Sequence, residues 1–429
     1  MHLPPLLTLL LFGTVLQTAH AQNTLPDYIR IAQANSPLIK DNQNQSAAAK
    51  VEIQRIKAVF TQPRIGLDGN YQLAPVLSQG NNKTQLELNP ANAPGKYVGY
   101  NYSLTNGGLY QGLIGIKQPL FSDAKYKTAA REAEISAQMN DNNIRLAVHD
   151  IGKWVTDQYI LCLQAYNQIT YQEKIIDLLR QQKDLITRLI NTGSYKLSDL
   201  TLLDIEIQTQ NIALNQYQSD YRNDLLDLNI LCGVDDTSYH TLPEPDLRLN
   251  EAPASSAFTE KYHLDSLSLL ARQQVFELQY KPQVSAFANA GLNAVNLPTL
   301  PRRFGIGAGV SFTMNLYDGH QRRLNQQKTD ILLRTASDYQ QQFLIRNAVR
   351  KAKLLSALQS LRERMALTTA QLGEYDKLLT YYKEELAKGQ LSVINYITTI
   401  KSLISLKNDY TSMERDQQLL INTYNYWNW

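Results

Sequence analysis

The sequence predicts a mixed α/β membrane protein. Each chain contributes four β-strands to a β-barrel shared between subunits, and long coiled-coil helices continue from it. Three observations predict this fold class. Four segments alternate apolar residues with small or polar ones, long stretches without proline carry heptad patterns, and the whole pattern occurs twice along the chain. The double occurrence predicts an internal two-fold repeat.

The composition narrows the class of protein. The chain has 429 residues, a formal net charge of +3 and 19% charged residues. Such a balance provides no strong electrostatic attraction to nucleic acid, so no nucleic-acid partner is predicted. The 25 tyrosines suit wet interfaces and the rims of membrane proteins.

The N-terminal residues resemble a signal peptide. An apolar run from Leu3 to Leu16 is followed by Ala19-His20-Ala21, which fits an A-x-A cleavage site. We therefore expect residues 1–21 to be removed on export. No later apolar run approaches the roughly 20 residues of a membrane-spanning helix, so none is predicted in the mature protein.

Four strands are predicted, at about 64–73, 108–118, 283–293 and 304–316. A strand of about ten residues with one apolar face can cross a bilayer as part of a barrel. Alternation also occurs in soluble β-sandwiches, so the strands alone leave that alternative open. Because a barrel needs roughly eight strands or more, it must be shared: two chains would supply eight strands and three would supply twelve.

Helices are predicted in the long stretches without proline, 120–242 and 302–429. Apolar residues recur there every three to four positions, as in the series from Leu200 to Leu231, where Gln210 and Asp224 are the two polar members. Such spacing predicts supercoiled helices packed on one another. A coiled-coil protein without a barrel is the alternative reading of this pattern alone.

Two glycines are predicted to be the turns of long helical hairpins. Gly193 and Gly389 lie 196 positions apart, as do Phe121 and Tyr317, and glycine accepts the positive φ at a helix C-terminus. The first repeat therefore comprises residues 22–234, with an initial helix, two strands and a hairpin turning near 193. A linker, 235–256, precedes the second repeat, 257–429, whose hairpin turns near 389. Residues 74–107 are predicted to be a surface loop that points out of the cell.

Short motifs now carry a family resemblance. They are "AQANSPLIK" (32–40), "QPLFSDAKY" and "NLYDGHQRR" after the strands, and "TGSYKLSDL" and "KGQLSVINY" at the turns. With these motifs in this order, the chain resembles the TolC-like outer membrane efflux protein family over 22–429. The resemblance implies a homotrimer, with a twelve-stranded outer membrane barrel and a hollow α-helical coiled-coil barrel that extends into the periplasm and closes at its far tip.

The resemblance also implies a function and partners. Such proteins are passive ducts of tripartite efflux systems, which work with a periplasmic adaptor (membrane fusion) protein and an inner membrane transporter, embedded in outer membrane lipid. The alternatives are the duct of a type I protein-secretion system and a structural coiled-coil protein of the envelope. No motif of a nucleophilic hydrolase, zinc protease, P-loop or redox dithiol occurs. No enzymatic activity, cofactor or metal site is therefore expected.

The resemblance further implies where the pore narrows. In the family, two aspartates often lie six and nine residues after the second turn glycine, and here these positions are Asn395 and Thr398. The corresponding first position of the first repeat is Asp199, for which a helix-capping role is the alternative. We expect a constriction near these three residues, without an acidic ring at Asn395 and Thr398.

The two cysteines are not expected to form a disulfide. Cys162 lies 31 residues before Gly193 and Cys232 lies 39 after it. In an antiparallel hairpin this difference separates them by about 12 Å along the helices. A disulfide requires Cα atoms within about 7 Å.

Overall fold

The computed structural model describes residues 24–73, 76–80, 83–87, 97–98, 108–251, 253 and 255–429. The α-helices in this part of the chain are α1 (Leu25–Asn35), α2 (Pro37–Thr61), α3 (Asp123–Ile190), α4 (Leu197–Cys232), α5 (Glu260–Glu277), α6 (Gln321–Ala387) and α7 (Val393–Trp427). The β-strands are β1 (Arg64–Leu73), β2 (Val76–Gly80), β3 (Lys83–Glu87), β4 (Tyr97–Val98), β5 (Gly108–Leu120), β6 (Gln283–Ala294) and β7 (Phe304–Thr313). The predicted signal peptide lies outside the described residues.

The chain divides into two compact units. The helical unit consists of residues 1–39, 145–256 and 345–429, as far as they are described, and the sheet unit of 40–144 and 257–344. Each unit takes residues from both predicted repeats. The two compact units therefore do not coincide with the two repeats, which were predicted from the order of motifs along the chain.

The sheet unit contains a four-stranded antiparallel sheet in the order β1-β5-β6-β7. Its strands coincide with the four segments predicted from alternation at their starts, but three of the ends differ. β5 continues to Leu120 and β6 to Ala294, because each has a backbone partner there. The prediction of a last strand to 316 was wrong: β7 ends at Thr313, whose partner Gln283 is the first residue of β6, so no partner strand remains.

The segment predicted as a surface loop also forms strands. β2, β3 and β4 pair antiparallel in the order β3-β2-β4. The sequence analysis placed no strands in this segment, and its prediction of a surface loop that points out of the cell stays a prediction. Asn, Gly and Pro indicate turns, but the short segments between them satisfy their backbone groups by pairing with each other. Residues 74–75, 81–82, 88–96 and 99–107 of this predicted loop lie outside the described residues.

The helical unit contains the turns of the two predicted hairpins, with α4, α7 and the parts of α3 and α6 that follow residues 144 and 344. α3 has 68 residues and α6 has 67, and no proline interrupts either of them, as expected for long helices. A buried apolar cluster joins all four hairpin helices, and its members are Ile175, Leu179, Ile186, Leu203, Leu379, Leu386, Leu391, Val393, Tyr396, Ile397, Ile400 and Leu403. Among the described residues, no helix has the combination of length and hydropathy that crossing a membrane requires.

Both cysteine thiols are free and buried. Burial raises the pKa of Cys162 strongly and that of Cys232 to about 11, so almost no thiolate is present at pH 8. We expect neither cysteine to react with a thiol reagent at pH 8 in the folded protein, and two thiols to react after unfolding without reductant. Mass spectrometry of the labelled chain measures this, and fewer than two labels after unfolding would contradict it.

Candidate functional site

The first predicted turn is a helix-ending motif at Gly193. Its N–H donates to the carbonyl of Ile190 at 2.9 Å, and the N–H of Ser194 donates to that of Leu189 at 3.1 Å. Gly193 has φ +78°. These two bonds and the left-handed glycine form a Schellman motif, which satisfies the last carbonyls of α3.

The second predicted turn has the same geometry at Gly389. Its N–H donates to Leu386 at 3.0 Å, the N–H of Gln390 donates to Glu385 at 2.9 Å, and φ is +71°. A Cβ on Gly389 would lie 3.2 Å from the Cβ of Ser194, whereas a Cβ on Gly193 would meet nothing within 4 Å. The two turns therefore contact each other on the Gly389 side.

Tyr195 links the two hairpins at these turns. Its hydroxyl lies 3.0 Å from the carbonyl oxygen of Leu386 and 2.9 Å from that of Leu391, on either side of Gly389. Burial, followed by the charge of Asp199, raises the pKa of the Tyr195 hydroxyl, so it remains a donor at neutral pH. Sequence analysis missed this residue, although an aromatic residue two positions after a turn glycine was a visible signal.

Asp199 caps the helix that follows the first turn. Its carboxylate accepts a hydrogen bond from the N–H of Lys196 at 2.9 Å, and its own N–H donates to the Lys196 carbonyl at 3.0 Å. An acidic residue in the first turn of α4 also favours the helix through the macrodipole. The capping role is thus present, and a role of Asp199 in the pore stays a prediction.

Asn395 and Thr398 lie on an exposed face of α7, near its start. The opposite face is buried through Val393, Tyr396 and Ile400. The Thr398 hydroxyl donates to the carbonyl of Ile394 at 2.8 Å, so its proton is used within the helix itself. The structure therefore presents a neutral surface at these two positions. Among the described residues, no cluster of three or more His, Cys, Asp or Glu side chains could hold a metal ion.

The four-stranded sheet has one apolar face. Opposite residues of β1 and β5 on this face include Leu67 with Ile114, and opposite residues of β6 and β7 include Ala290 with Ile306. The exposed fraction is 78% for Leu67 and 82% for Ile306. The large exposed apolar side chains of this face are Ile65, Leu67, Tyr71, Leu73, Ile114, Ile116, Phe304, Ile306, Val310 and Phe312. An apolar surface of this extent requires a cover other than water.

The other face of the sheet is mainly polar or formed by glycine. The register places Arg64 opposite Lys117, Asn70 opposite Gln111, and Ser285 opposite Ser311. Asn70 donates to the Gln111 carbonyl oxygen at 3.2 Å, and the two serine hydroxyls lie 2.7 Å apart. Leu109, Leu113, Pro119 and Phe287 are its apolar exceptions. The alternation of a membrane barrel, with one face towards lipid and one towards a lumen, has this form.

Comparison with solved structures identifies the architecture. The outer membrane channel CmeC of Campylobacter jejuni is 13% identical, with a TM-score of 0.66 over 95% of this chain and 86% of that chain. The outer membrane protein VceC of Vibrio cholerae is 13% identical, with a TM-score of 0.67 over 94% and 96%. The open state of the MtrE outer membrane channel of Neisseria gonorrhoeae is 12% identical, with a TM-score of 0.67 over 95% and 89%.

The chain has the TolC-like channel fold. No protein-family model matches the sequence, and no curated protein matches it. At such low identity the similarity establishes the fold alone, and the chemistry must be read from this chain's own residues.

In this TolC-like fold, a buried polar chain crosses the helical unit. Gln172 of α3 donates to the side chain of Gln210 at 2.6 Å, Gln210 donates to Glu206 at 2.5 Å, and Lys401 of α7 pairs with Glu206 at 2.9 Å. The Glu206 side chain is only 3% exposed, against 57% for Lys401. Sequence analysis noted Gln210 as a polar member of a heptad series and did not connect it with Glu206, which lies four residues earlier.

Proposed function

We propose that the protein is the outer membrane channel of a tripartite efflux system. It passively conducts small molecules or ions delivered by an inner membrane transporter through a periplasmic adaptor. The observation that carries the proposal is the exposed apolar face of the four-stranded sheet, backed by a polar face. Outer membrane lipid is the cover that suits this apolar face, and the helices then extend into the periplasm.

The edges of the sheet support a homotrimer. β1 and β7 are its edge strands, and unpaired strand edges are costly where lipid offers no hydrogen bonds. Pairing β7 of one chain with β1 of the next closes the barrel. Three copies give twelve strands, the number that the resemblance to the TolC-like family implies.

The proposal is tested on the mature protein purified in detergent. We expect native mass spectrometry to give a trimer, and insertion into a planar bilayer to give discrete single-channel currents. A monomeric, water-soluble chain without conductance would exclude both the efflux channel and a protein-secretion duct, and would leave a structural envelope protein. Co-purification of an adaptor and a small-molecule transporter, rather than a protein-exporting transporter, separates the first two.

We further propose that the exposed face of α7 around Asn395 and Thr398 lines the narrowest part of the pore, next to the Gly193 and Gly389 turns. Neutral amide and hydroxyl oxygens are weak ligands for divalent cations compared with carboxylates. We therefore expect weak block of the wild-type channel by Mg²⁺ from the periplasmic side. Asn395→Asp should lower the half-blocking concentration about tenfold, since three carboxylates would then surround one axis.

A matched variant tests whether the constriction lies at Asn395. Asn191→Asp adds the same charge at an exposed position of the hairpin turn at Gly193. This variant should change the block by Mg²⁺ much less. Single-channel recordings over a range of Mg²⁺ concentrations provide the measurement. Equal sensitivity of both variants, or no change in either, would place the constriction elsewhere.

A further inference from the structure

The sheet unit contains a cavity of about 470 Å³ at the end of the four-stranded sheet, where α2, α3 and α5 pack against it. Three of its lining side chains are cationic, namely Arg64, Lys117 and Lys125, and no acidic side chain of the described residues lines it. A cavity of this size accommodates a drug-sized molecule. The positive charge of the lining side chains indicates the charge that such a molecule carries.

Two cations of this cavity, Arg64 and Lys117, face each other across neighbouring strands without an anionic partner among the described residues. Arg64 and Lys117 are directly opposite each other on β1 and β5, an arrangement that destabilises a sheet when the charges are alike. Within the described part of the chain, neither side chain forms an ion pair or a hydrogen bond. A bound anion would relieve this repulsion, so the site favours a negatively charged ligand.

Lys125 extends the cationic group onto α3. Its ammonium donates to the carbonyl of Pro282 at 2.5 Å. Burial, followed by the nearby charge of Lys281, lowers its pKa. The ammonium retains further N–H groups beyond the one used by Pro282. It can therefore add a charge-assisted hydrogen bond to an anion that enters the cavity.

The remaining walls have two characters. Val59 and Phe60 of α2 and Leu278 form an apolar wall, while Ser285 and Ser311 place paired hydroxyl groups on the sheet side. A ligand that is complementary to both the apolar and the polar walls has an apolar body and one anionic group. Such a division is typical of small-molecule sites, in which a few polar groups set the orientation.

We propose that this cavity binds a small amphipathic anion, with a carboxylate, sulfonate or phosphate near Arg64 and Lys117 and an apolar body against Val59 and Phe60. Both basic residues belong to the polar face of the sheet, opposite the face that we assign to lipid. A dissolved molecule therefore has access, rather than a lipid of the surrounding bilayer. The binding stands on the cavity itself; its place on an export route rests on the proposed function.

The test is isothermal titration calorimetry. The probe naphthalene-2-sulfonate is titrated into the full mature protein in nanodiscs of phosphatidylcholine. We expect saturable binding of one anion per chain, weakened about tenfold or more by Arg64→Gln or Lys117→Gln. The control variant Lys127→Gln removes the same charge from an exposed ion pair with Asp123 and should bind like the wild type. A cationic trimethylnaphthylammonium probe should not bind.

Each outcome decides the proposal. Each Gln variant removes one of two like charges at opposite positions of β1 and β5 and should fold at least as stably as the wild type, which thermal unfolding measures. Equal binding by wild type, Arg64→Gln and Lys117→Gln, or no binding by the wild type, overturns the site. Loss of probe binding in nanodiscs rich in phosphatidylglycerol overturns the assignment to a dissolved ligand. Conductance of the same purified protein after insertion into a planar bilayer reports separately on the channel, so either proposal can fail alone.

Discussion

Replacing Lys401 by methionine should destabilise the helical unit by about 1–3 kcal/mol. The substitution leaves the Glu206 carboxylate, whose side chain is 3% exposed, without its only cationic partner among the described residues. The donor that remains is the carboxamide of Gln210, at 2.5 Å. Since that carboxamide also accepts a hydrogen bond from Gln172, the loss should extend to the contact between α3 and α4.

A second pair in the same unit provides the control. Lys183 and Asp204 lie 2.6 Å apart, but their side chains are 38% and 42% exposed. Water can solvate Asp204 when its partner is removed, so Lys183→Met should cost at most about 1 kcal/mol. The two substitutions make the same chemical change between the same kinds of helices and differ in burial.

Local opening free energies from hydrogen exchange measure both effects, because they do not require reversible unfolding of a membrane protein. We expect amides of α4 and α7 around Glu206 and Lys401 to exchange faster in Lys401→Met. Adding Glu206→Gln to that variant should restore most of the protection, since a neutral amide costs less to bury than an unpaired carboxylate. Equal effects of Lys401→Met and Lys183→Met would show that the burial of Glu206 has no energetic importance.

The strands could be predicted well from the sequence because a period of two is a local property. Ile65 and Leu67 lie on the same face because side chains two positions apart in a strand point the same way, and both are exposed. The strand ends were less predictable, since they depend on partners distant in sequence. Thr313 is the last paired residue of β7 only because its partner is the first residue of β6.

The hairpin turns were predictable for a related reason. A left-handed residue after a helix strongly favours glycine, and Gly193 and Gly389 both have positive φ. By contrast, the contact of Tyr195 with the carbonyls around the second turn joins residues about 190 positions apart. No local pattern specifies such a contact, and only the packing of the two hairpins creates it.

The cationic cavity shows the same limit. Arg64 and Lys117 each fit the polar face of an alternating strand, and nothing in either segment indicates that they face each other. Their opposition follows from the register of β1 with β5 across a long connection. The internal repeat, the constriction at Asn395, Thr398 and Asp199, and the trimer stay predictions that the experiments above address.

Gly389→Ala should destabilise the contact between the hairpin turns by about 2–3 kcal/mol, against about 1 kcal/mol for Gly193→Ala. Both substitutions place a Cβ on a residue with positive φ, so both incur the strain of a left-handed alanine. Only the Cβ on Gly389 meets a neighbour, the Cβ of Ser194 at 3.2 Å. One turn must then move away from the other, which also lengthens the distances from the Tyr195 hydroxyl to the carbonyl oxygens of Leu386 and Leu391 that share its proton.

The difference between the two glycine variants is measured by hydrogen exchange of the peptides that contain Ser194 and Gln390, whose N–H groups close the two Schellman motifs. Gly389→Ala should increase exchange in both peptides, and Gly193→Ala in the first alone. Combining Gly389→Ala with Ser194→Gly removes the close contact and should reduce the cost to that of Gly193→Ala, a non-additivity that a double-mutant cycle detects. Additive effects, or equal costs of the two single alanine variants, would mean that the turns are not in contact in the folded protein.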